Sequence, residues 1–435
     1  MNQLFTKCLL GFLLLLSTMF SSAQNFEQKI IPLDHTASLD KLIATAANKK
    51  LVLLGEGSHG THEYYLWRDK ITRRLISEQD FNFIAVEGDF ASLYHLNRYV
   101  KNMDGAANSA RDILSKLEKW PTWMWSNEEV VALAEWLRSY NDNLPQDEKV
   151  GFYGMDVYDE WKSKKVVLDL LKNTNKTAYN YAKDQYNCFN PHKGDSWRYA
   201  HAVRAGKEDC SAATKNVVTY IRNNRANLSE LSNDTYFYLL QNAIVVHNAE
   251  AFYRKSVTST GEASWNARAS HMHETVIDLL NLYGESAKGI VWAHNTHIGD
   301  AKYTNMRNTG EHNIGQLVRS KLGYDNVFLI GFATYEGEVM AGSSWGAPMQ
   351  KMTIPPAIRN SIEYELNQFD EDSFYLIFDE QDRKEENIKV MGNRAVGVVY
   401  NPNRDERQFV PTIIPLRYDA LFFFKKTTAL RVLAK

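Results

Sequence analysis

Four apolar stretches of this chain each run into a side chain that can move protons. Glu56 and His59 follow KLVLLGE, Glu87 closes NFIAVEGD, and Asp156 closes KVGFYGMD. His294 and His297 come at and just past the end of KGIVWAHN. An imidazole among carboxylates titrates near neutral pH and is suited to draw a proton from water. The carboxylates would hold that water, or fix the ring and its tautomer. Arg68 lies on the segment after His59, where a helical side chain leaning back toward the helix start reaches the same mouth.

Three other chemistries share fragments of these motifs. Gly55, Gly57 and Gly60 spell G-x-G-x-x-G after a strand-like run, the pattern with which bare backbone approaches a pyrophosphate. Glu56 would set a negative charge against that diphosphate and His59 a ring where backbone is wanted, so the fingerprint does not fit a dinucleotide. GSSWG (Gly342 to Gly346) has the form of a nucleophile elbow. That plan needs its histidine after the serine, and no histidine follows His312. Ser344 therefore reads as loop or lid. His294 and His297, with Glu56, Glu87 and Asp156, have ligand character for a divalent ion. H-E-x-x-H and a second close ligand pair are both missing, so no metal is assigned. His271 and His273 in HMHE read as helix surface, and His62, His95, His247 and His312 belong to no constellation.

The elements that must position these groups predict an α/β fold: a mainly parallel central sheet flanked by helices. The runs named above, with NVFLIGF, are its strands. HEYYLWRDKITRRLISEQ has helical spacing, and Ser126 with Glu129 predicts a capping box for the next helix. From about 160 to 280 the pattern is helical and reads as an insertion between the third and fourth strands. SFYLIFD, AVGVVYNP and DALFFFKK return to strands. In open parallel sheets ligands bind outside the carboxyl ends of the strands, where all the groups above would meet.

Residues 1–23 read as a secretory signal peptide: Lys7, an apolar run from Cys8 to Phe20, and small Ser21 and Ala23 before a cut. The run is short of the roughly 20 residues that span a bilayer. Cys8 is not placed as a lipid-attachment site. Removal leaves about 410 residues, a single large catalytic domain over 24–435, exported and expected in a periplasm. A net charge of −2 gives nucleic acid or an anionic membrane nothing to bind. Cys188 and Cys210 either pair or remain buried thiols. Ten Trp and 23 Tyr suit a bulky amphipathic ligand. The sequence does not set an oligomeric state.

GEGSHGTHEYYLWR, VEGD, WPTWMW, FYGMD, WAHNTHI, GVVYNP and YDALFFF, in that order, resemble the erythromycin esterase family over nearly the whole mature chain. The resemblance implies a hydrolase that opens macrolide lactones without a serine nucleophile, a metal or another cofactor. It implies His59 as the water-activating base, with Glu56, Arg68, Glu87, His294 and His297 as its catalytic companions. The expected mechanism has water held by Glu56 and Glu87, and an oxyanion met by Arg68 or the His294/His297 pair. Arg268 and Met272 match a family R-D-x-x-M and are expected to contact the substrate, with Ala269 where the aspartate would stand. Asp156 is the expected contact to a substrate hydroxyl or amine, and Trp120, Trp123 and Trp125 an apolar wall for the macrocycle. Two other readings stay open. One is a hydrolase of another ester, such as an exopolysaccharide substituent. The other is a non-catalytic periplasmic protein that binds a cofactor or metal through His294 and His297.

Overall fold

The computed structural model describes residues 26–434; the signal-peptide reading lies outside the described residues. The strands in chain order are β1 (Ile31–Pro32), β2 (Leu51–Leu54), β3 (Phe83–Asp89), β4 (Gly151–Asp156), β5 (Gly289–Trp292), β6 (Val327–Gly342), β7 (Met349–Ile354), β8 (Ser373–Ile377), β9 (Val390–Arg394), β10 (Phe409–Ile413) and β11 (Ala420–Thr427). One sheet runs β1-β8-β11-β6-β2-β5-β3-β4, with β7 paired to β6. From β11 to β4 every pairing is parallel, and the antiparallel pairings involve β1, β8 and β7.

The parallel strands are buried on both faces, which is why their sequences are apolar without alternation. Val52, Leu54, Ile84, Val86, Ile290 and Trp292 enter one core, shared with the helices His62–Gln79 and Glu128–Asn141. Leu51, Leu53, Phe83, Ala85 and Val291 enter the other, with the helices Gly261–Tyr283 and Ile314–Leu322. β6 runs past the expected NVFLIGF to Gly342, where it turns back into β7.

Between β4 and β5 the chain is helical, from Glu160–Thr174 to Gly261–Tyr283. Val167, Leu171, Val217, Ile221, Leu239 and Val246 give this region its own core. Cys188 and Cys210 form a disulfide there, their Cα atoms 5.8 Å apart. A crosslink over a loop of this length constrains the unfolded chain by about 3 kcal/mol. Reductant is therefore expected to lower the thermal midpoint of the wild type and to leave that of a Cys188→Ser/Cys210→Ser variant unmoved, as followed by circular dichroism.

Four local expectations are corrected. Asn127, not Ser126, caps the helix Glu128–Asn141: its Oδ1 accepts the Val130 N–H at 2.8 Å and its amide donates to Trp123 O. Glu129 turns instead to His62 Nδ1 (2.6 Å) and Arg431 Nε (2.9 Å), so His62 has a partner after all. AVGVVYNP is not a ladder strand. The ladder is β9 with β10, and Val396 instead donates its N–H to Gly57 O, closing against the loop that carries His59. His271 is buried, not on the surface, because its helix packs against Asn233–Thr258 and Asn248 meets its Nδ1 at 3.0 Å.

Candidate active site

Gly55 to Thr61 link β2 to the helix His62–Gln79. A Cβ on Gly55 would stand 2.1 Å from Asn295 Oδ1, and one on Gly60 would stand 2.0 Å from Met340 O. Both glycines admit neighbouring protein, not a phosphate. The dinucleotide pattern is met by chance of packing. Asn295 also donates its N–H to Glu56 O (2.9 Å) and its amide to Phe332 O (2.7 Å), stitching the loops after β2 and β5 to strand β6. Sequence reasoning missed Asn295, although it stands inside the HNTH motif.

Glu56 is buried at 1 % exposure and holds His59 Nδ1 through Oε1 at 2.8 Å. Its Oε2 accepts Arg68 Nη2 at 2.8 Å. Arg68 lies under the site, its guanidinium 4.1 Å from the Tyr65 ring centre and 4.5 Å from that of Trp292. It does not border the cavity, because its face of the helix packs onto β5. The expected role of Arg68 at an oxyanion is therefore corrected to anchoring Glu56, and Glu56 itself has no access to a cavity water. Burial lowers the His59 pKa, but the Glu87 and Glu56 carboxylates outweigh it and hold the ring above its ordinary value of 6.5.

Glu87, from β3, accepts the His294 backbone N–H at 2.8 Å and Arg268 Nη2 at 2.8 Å. Asp156, closing β4, takes Arg268 Nε at 2.8 Å and Nη2 at 2.6 Å, with the Val157 N–H on Oδ1 at 2.7 Å. Burial pushes both carboxyls up, yet Glu87 sits well below its ordinary value through His297, His59 and Arg268, and Asp156 is lowered by Arg268. Asp156 is thus closed onto Arg268 and not left open to a substrate amine, which corrects that expectation. Ala269 is buried in the helix, and Arg268 finds its partners in β3 and β4 instead.

Arg268 also points Nη1 at His297 Nε2, 3.0 Å away. Glu87 Oε1 approaches the same nitrogen at 3.3 Å, so a ring hydrogen there faces Glu87 and a lone pair there faces Arg268. The His297 ring stacks on Trp265 at 4.7 Å. His294 faces His59 with ring centres 4.7 Å apart. Burial, with His59 beside it, holds the His294 pKa well below the ordinary value.

His59, Glu87, Asp156, Arg268, His294 and His297 border one cavity of about 410 Å³ whose walls include Trp120, Trp125, Tyr158, Phe252 and Trp265. Trp123 and Met272 do not line it, which corrects both as substrate contacts. Trp123 is 1 % exposed and braces Trp120 edge-on at 5.4 Å, while Trp125 reaches the cavity and donates to Glu87 O at 3.2 Å. Met272 is fully buried in the core below. Trp345, from the GSSWG loop, stands at the rim 71 % exposed, 4.7 Å from Trp120. Trp197, Phe252 and Tyr253 come from the helical region. Their motifs carried no signal beyond being aromatic. Among the described residues no group of three or more His, Cys, Asp or Glu is disposed to hold a metal, and Arg268 fills the place a cation would take between Glu87 and Asp156.

At the carboxyl edge of this parallel α/β sheet a carboxylate-held histidine and a second imidazole, 4.7 Å apart, together border an aromatic cavity. The sequence profile described as Erythromycin esterase matches residues 76–427, and the chain belongs to that family, which makes it an ester hydrolase. The match begins beyond Glu56, His59 and Arg68, whose placement rests on the geometry above. The chain is 22 % identical to an erythromycin esterase type II of Escherichia coli over 71 % of its own length and 75 % of the relative's. Among solved structures it is similar to one described as a succinoglycan biosynthesis protein (TM-score 0.78, 20 % identity, 96 % and 99 % of the two chains). It is also similar to a mutant of the erythromycin esterase EreC in its open conformation (TM-score 0.63, 16 % identity, 92 % and 95 %). At these identities the two structures speak to the fold alone.

Proposed function

We propose that this protein opens the lactone ring of macrolide antibiotics by water activated on His59, and so inactivates them. The observation that carries the reading is the chain Arg68–Glu56–His59 ending at the cavity. Glu56 is a carboxylate and takes the Nδ1 hydrogen, so His59 presents the Nε2 lone pair as a base. As water adds to the ester carbon, its proton passes to His59 and negative charge gathers on the carbonyl oxygen. A positioned donor on that oxygen contributes about 10²–10³ in rate. His294 and His297 border the cavity where it forms. The intermediate expels the ring alkoxide, which takes the proton back from His59, giving a hydroxy acid. The aromatic walls suit an apolar macrocycle. An exported location is part of the proposal, supported by the disulfide, which persists in oxidising compartments.

The description of one structural neighbour as a succinoglycan biosynthesis protein favours a second reading, hydrolysis of an ester on a polysaccharide. Purified protein incubated with erythromycin, and separately with an O-acylated exopolysaccharide, separates the two by mass spectrometry. Erythromycin gaining one water supports the first, and release of the acyl group alone replaces it with the second. Turnover is expected to survive a chelator; loss in chelator restored by zinc would move the water activation from His59 to a metal.

The pH dependence follows from His59. Its unprotonated ring is the active form, and its pKa is raised, so kcat/KM climbs with pH through an inflection above 6.5. Glu56→Gln removes one of the two carboxylates that raise it, and a pH profile of that variant is expected to inflect lower. An inflection that stays put would take Glu56 out of the electrostatic account.

A further inference from the structure

Thr296 lines the cavity and sets two hydrogen-bond donors on one nitrogen of its neighbour. Its backbone N–H lies 3.3 Å from His294 Nδ1 and its hydroxyl oxygen 2.8 Å from the same atom. A backbone N–H cannot accept, so His294 Nδ1 must offer a lone pair, and the ring hydrogen of the neutral imidazole belongs to Nε2. That Nε2 is buried and has no partner among the described residues, while the ring borders the cavity.

His59, across a ring separation of 4.7 Å, carries the opposite assignment, its Nδ1 hydrogen given to Glu56. We infer that Thr296 is a positioning residue: it fixes His294 as the Nε2–H tautomer with its one ring lone pair engaged at Nδ1, so that His294 has no free lone pair to offer and His59 alone accepts the proton. The inference rests on the hydrolase reading for its consequence, but not for its geometry.

The assignment matters because two such imidazoles could otherwise exchange roles. A His294 carrying a free Nε2 lone pair beside the His59 ring, 4.7 Å away, would compete with His59 for the proton of water. The backbone of Thr296 is itself held, its carbonyl accepting the Asn313 amide at 2.8 Å, and the His294 N–H is tied to Glu87. The donor pair is therefore fixed on both sides of the ring. Burial keeps His294 neutral, so a tautomer, not an imidazolium, is what Thr296 selects.

The test uses the whole protein labelled with ¹⁵N in its histidine rings, without substrate. Two-bond ¹H–¹⁵N correlation spectra distinguish the tautomers of neutral histidine. At neutral pH the His294 ring is expected in the Nε2–H form and the unprotonated His59 ring in the Nδ1–H form. Thr296→Val removes one of the two donors, worth about 1 kcal/mol, and is expected to move the His294 tautomer ratio about fivefold toward Nδ1–H. Thr296→Ser restores the hydroxyl and is expected to restore the wild-type spectrum. A His294 found as Nδ1–H or charged in the wild type overturns the inference, as does a Val variant with an unchanged ratio. Should the Val variant fail to fold, the wild-type spectrum still decides. The two readings fail separately: a His294 in the wrong tautomer within an active hydrolase sinks this inference alone, whereas the expected spectrum in a protein inert toward every ester sinks the hydrolase alone.

Discussion

His59→Ala is expected to lower turnover by about 10²–10⁴, the range that a positioned general base contributes, while the protein keeps its fold. The ring stands at the cavity wall, and its loss leaves Glu56 still paired with buried Arg68. The removed group is also a partial cation among anions, so some stability goes with it, far less than the activity. The residual rate should lose the inflection above 6.5 and rise with hydroxide, because no protein group then takes the proton. His59→Asn sharpens the point: its amide can still donate to Glu56 yet offers no base at the cavity. It should be as inactive as alanine and closer to wild type in thermal midpoint. A variant that retained activity with an unchanged pH profile would remove His59 from the chemistry and leave the carboxylate-held ring as structure.

How much of this was legible in sequence depended on the kind of constraint. Parallel strands buried on both faces must be apolar throughout, so LVLL, FIAV, GFYGM and GIVW announced themselves, and their carboxyl ends named Glu56, Glu87, Asp156 and His294 together. What the ends do not encode is which way a side chain turns once it arrives. Arg68 was legible as near the site, but helix phase against Trp292 decides that it faces the core. Met272 follows Arg268 by one helical turn and shares its face, yet that turn, about 6 Å, carries it from the rim into the core. In WPTWMW the short Thr122–Met124 turn hides Trp123 and presents Trp125, a choice that neither helical nor strand spacing anticipates. AVGVVYNP has the alternation of a strand, but it meets Ser58 and Gly342 only in isolated bridges. Trp197 and Trp345 reach the cavity from loops and helices far away in sequence, where only tertiary packing could have assigned them.

The largest stability effect is expected from Arg268, through the charges it leaves behind. Its side chain is 13 % exposed and makes bonds to both Asp156 oxygens, to Glu87 and to His297 Nε2. Arg268→Met keeps most of the volume over Tyr158 but strands two buried carboxylates beside each other, and breaking a buried pair in this way costs about 3–5 kcal/mol. The pH dependence separates charge from packing. In the wild type Glu87 and Asp156 have depressed pKa values, so their stabilisation is present above the unfolded carboxyl range near 4 and is lost as pH falls through the folded values. In the variant Asp156 loses its cation and burial raises it, whereas Glu87 keeps His297 and His59, so protonation of Asp156 relieves the strain. The gap between the two proteins in urea denaturation should therefore be widest near neutral pH and shrink on approach to pH 4. Arg268→Lys retains a charge but cannot span three partners, and should fall between them. A gap that stayed constant with pH would assign the loss to packing against Tyr158, and Arg268 would then be a wall of the cavity with no electrostatic duty toward the carboxylates it touches.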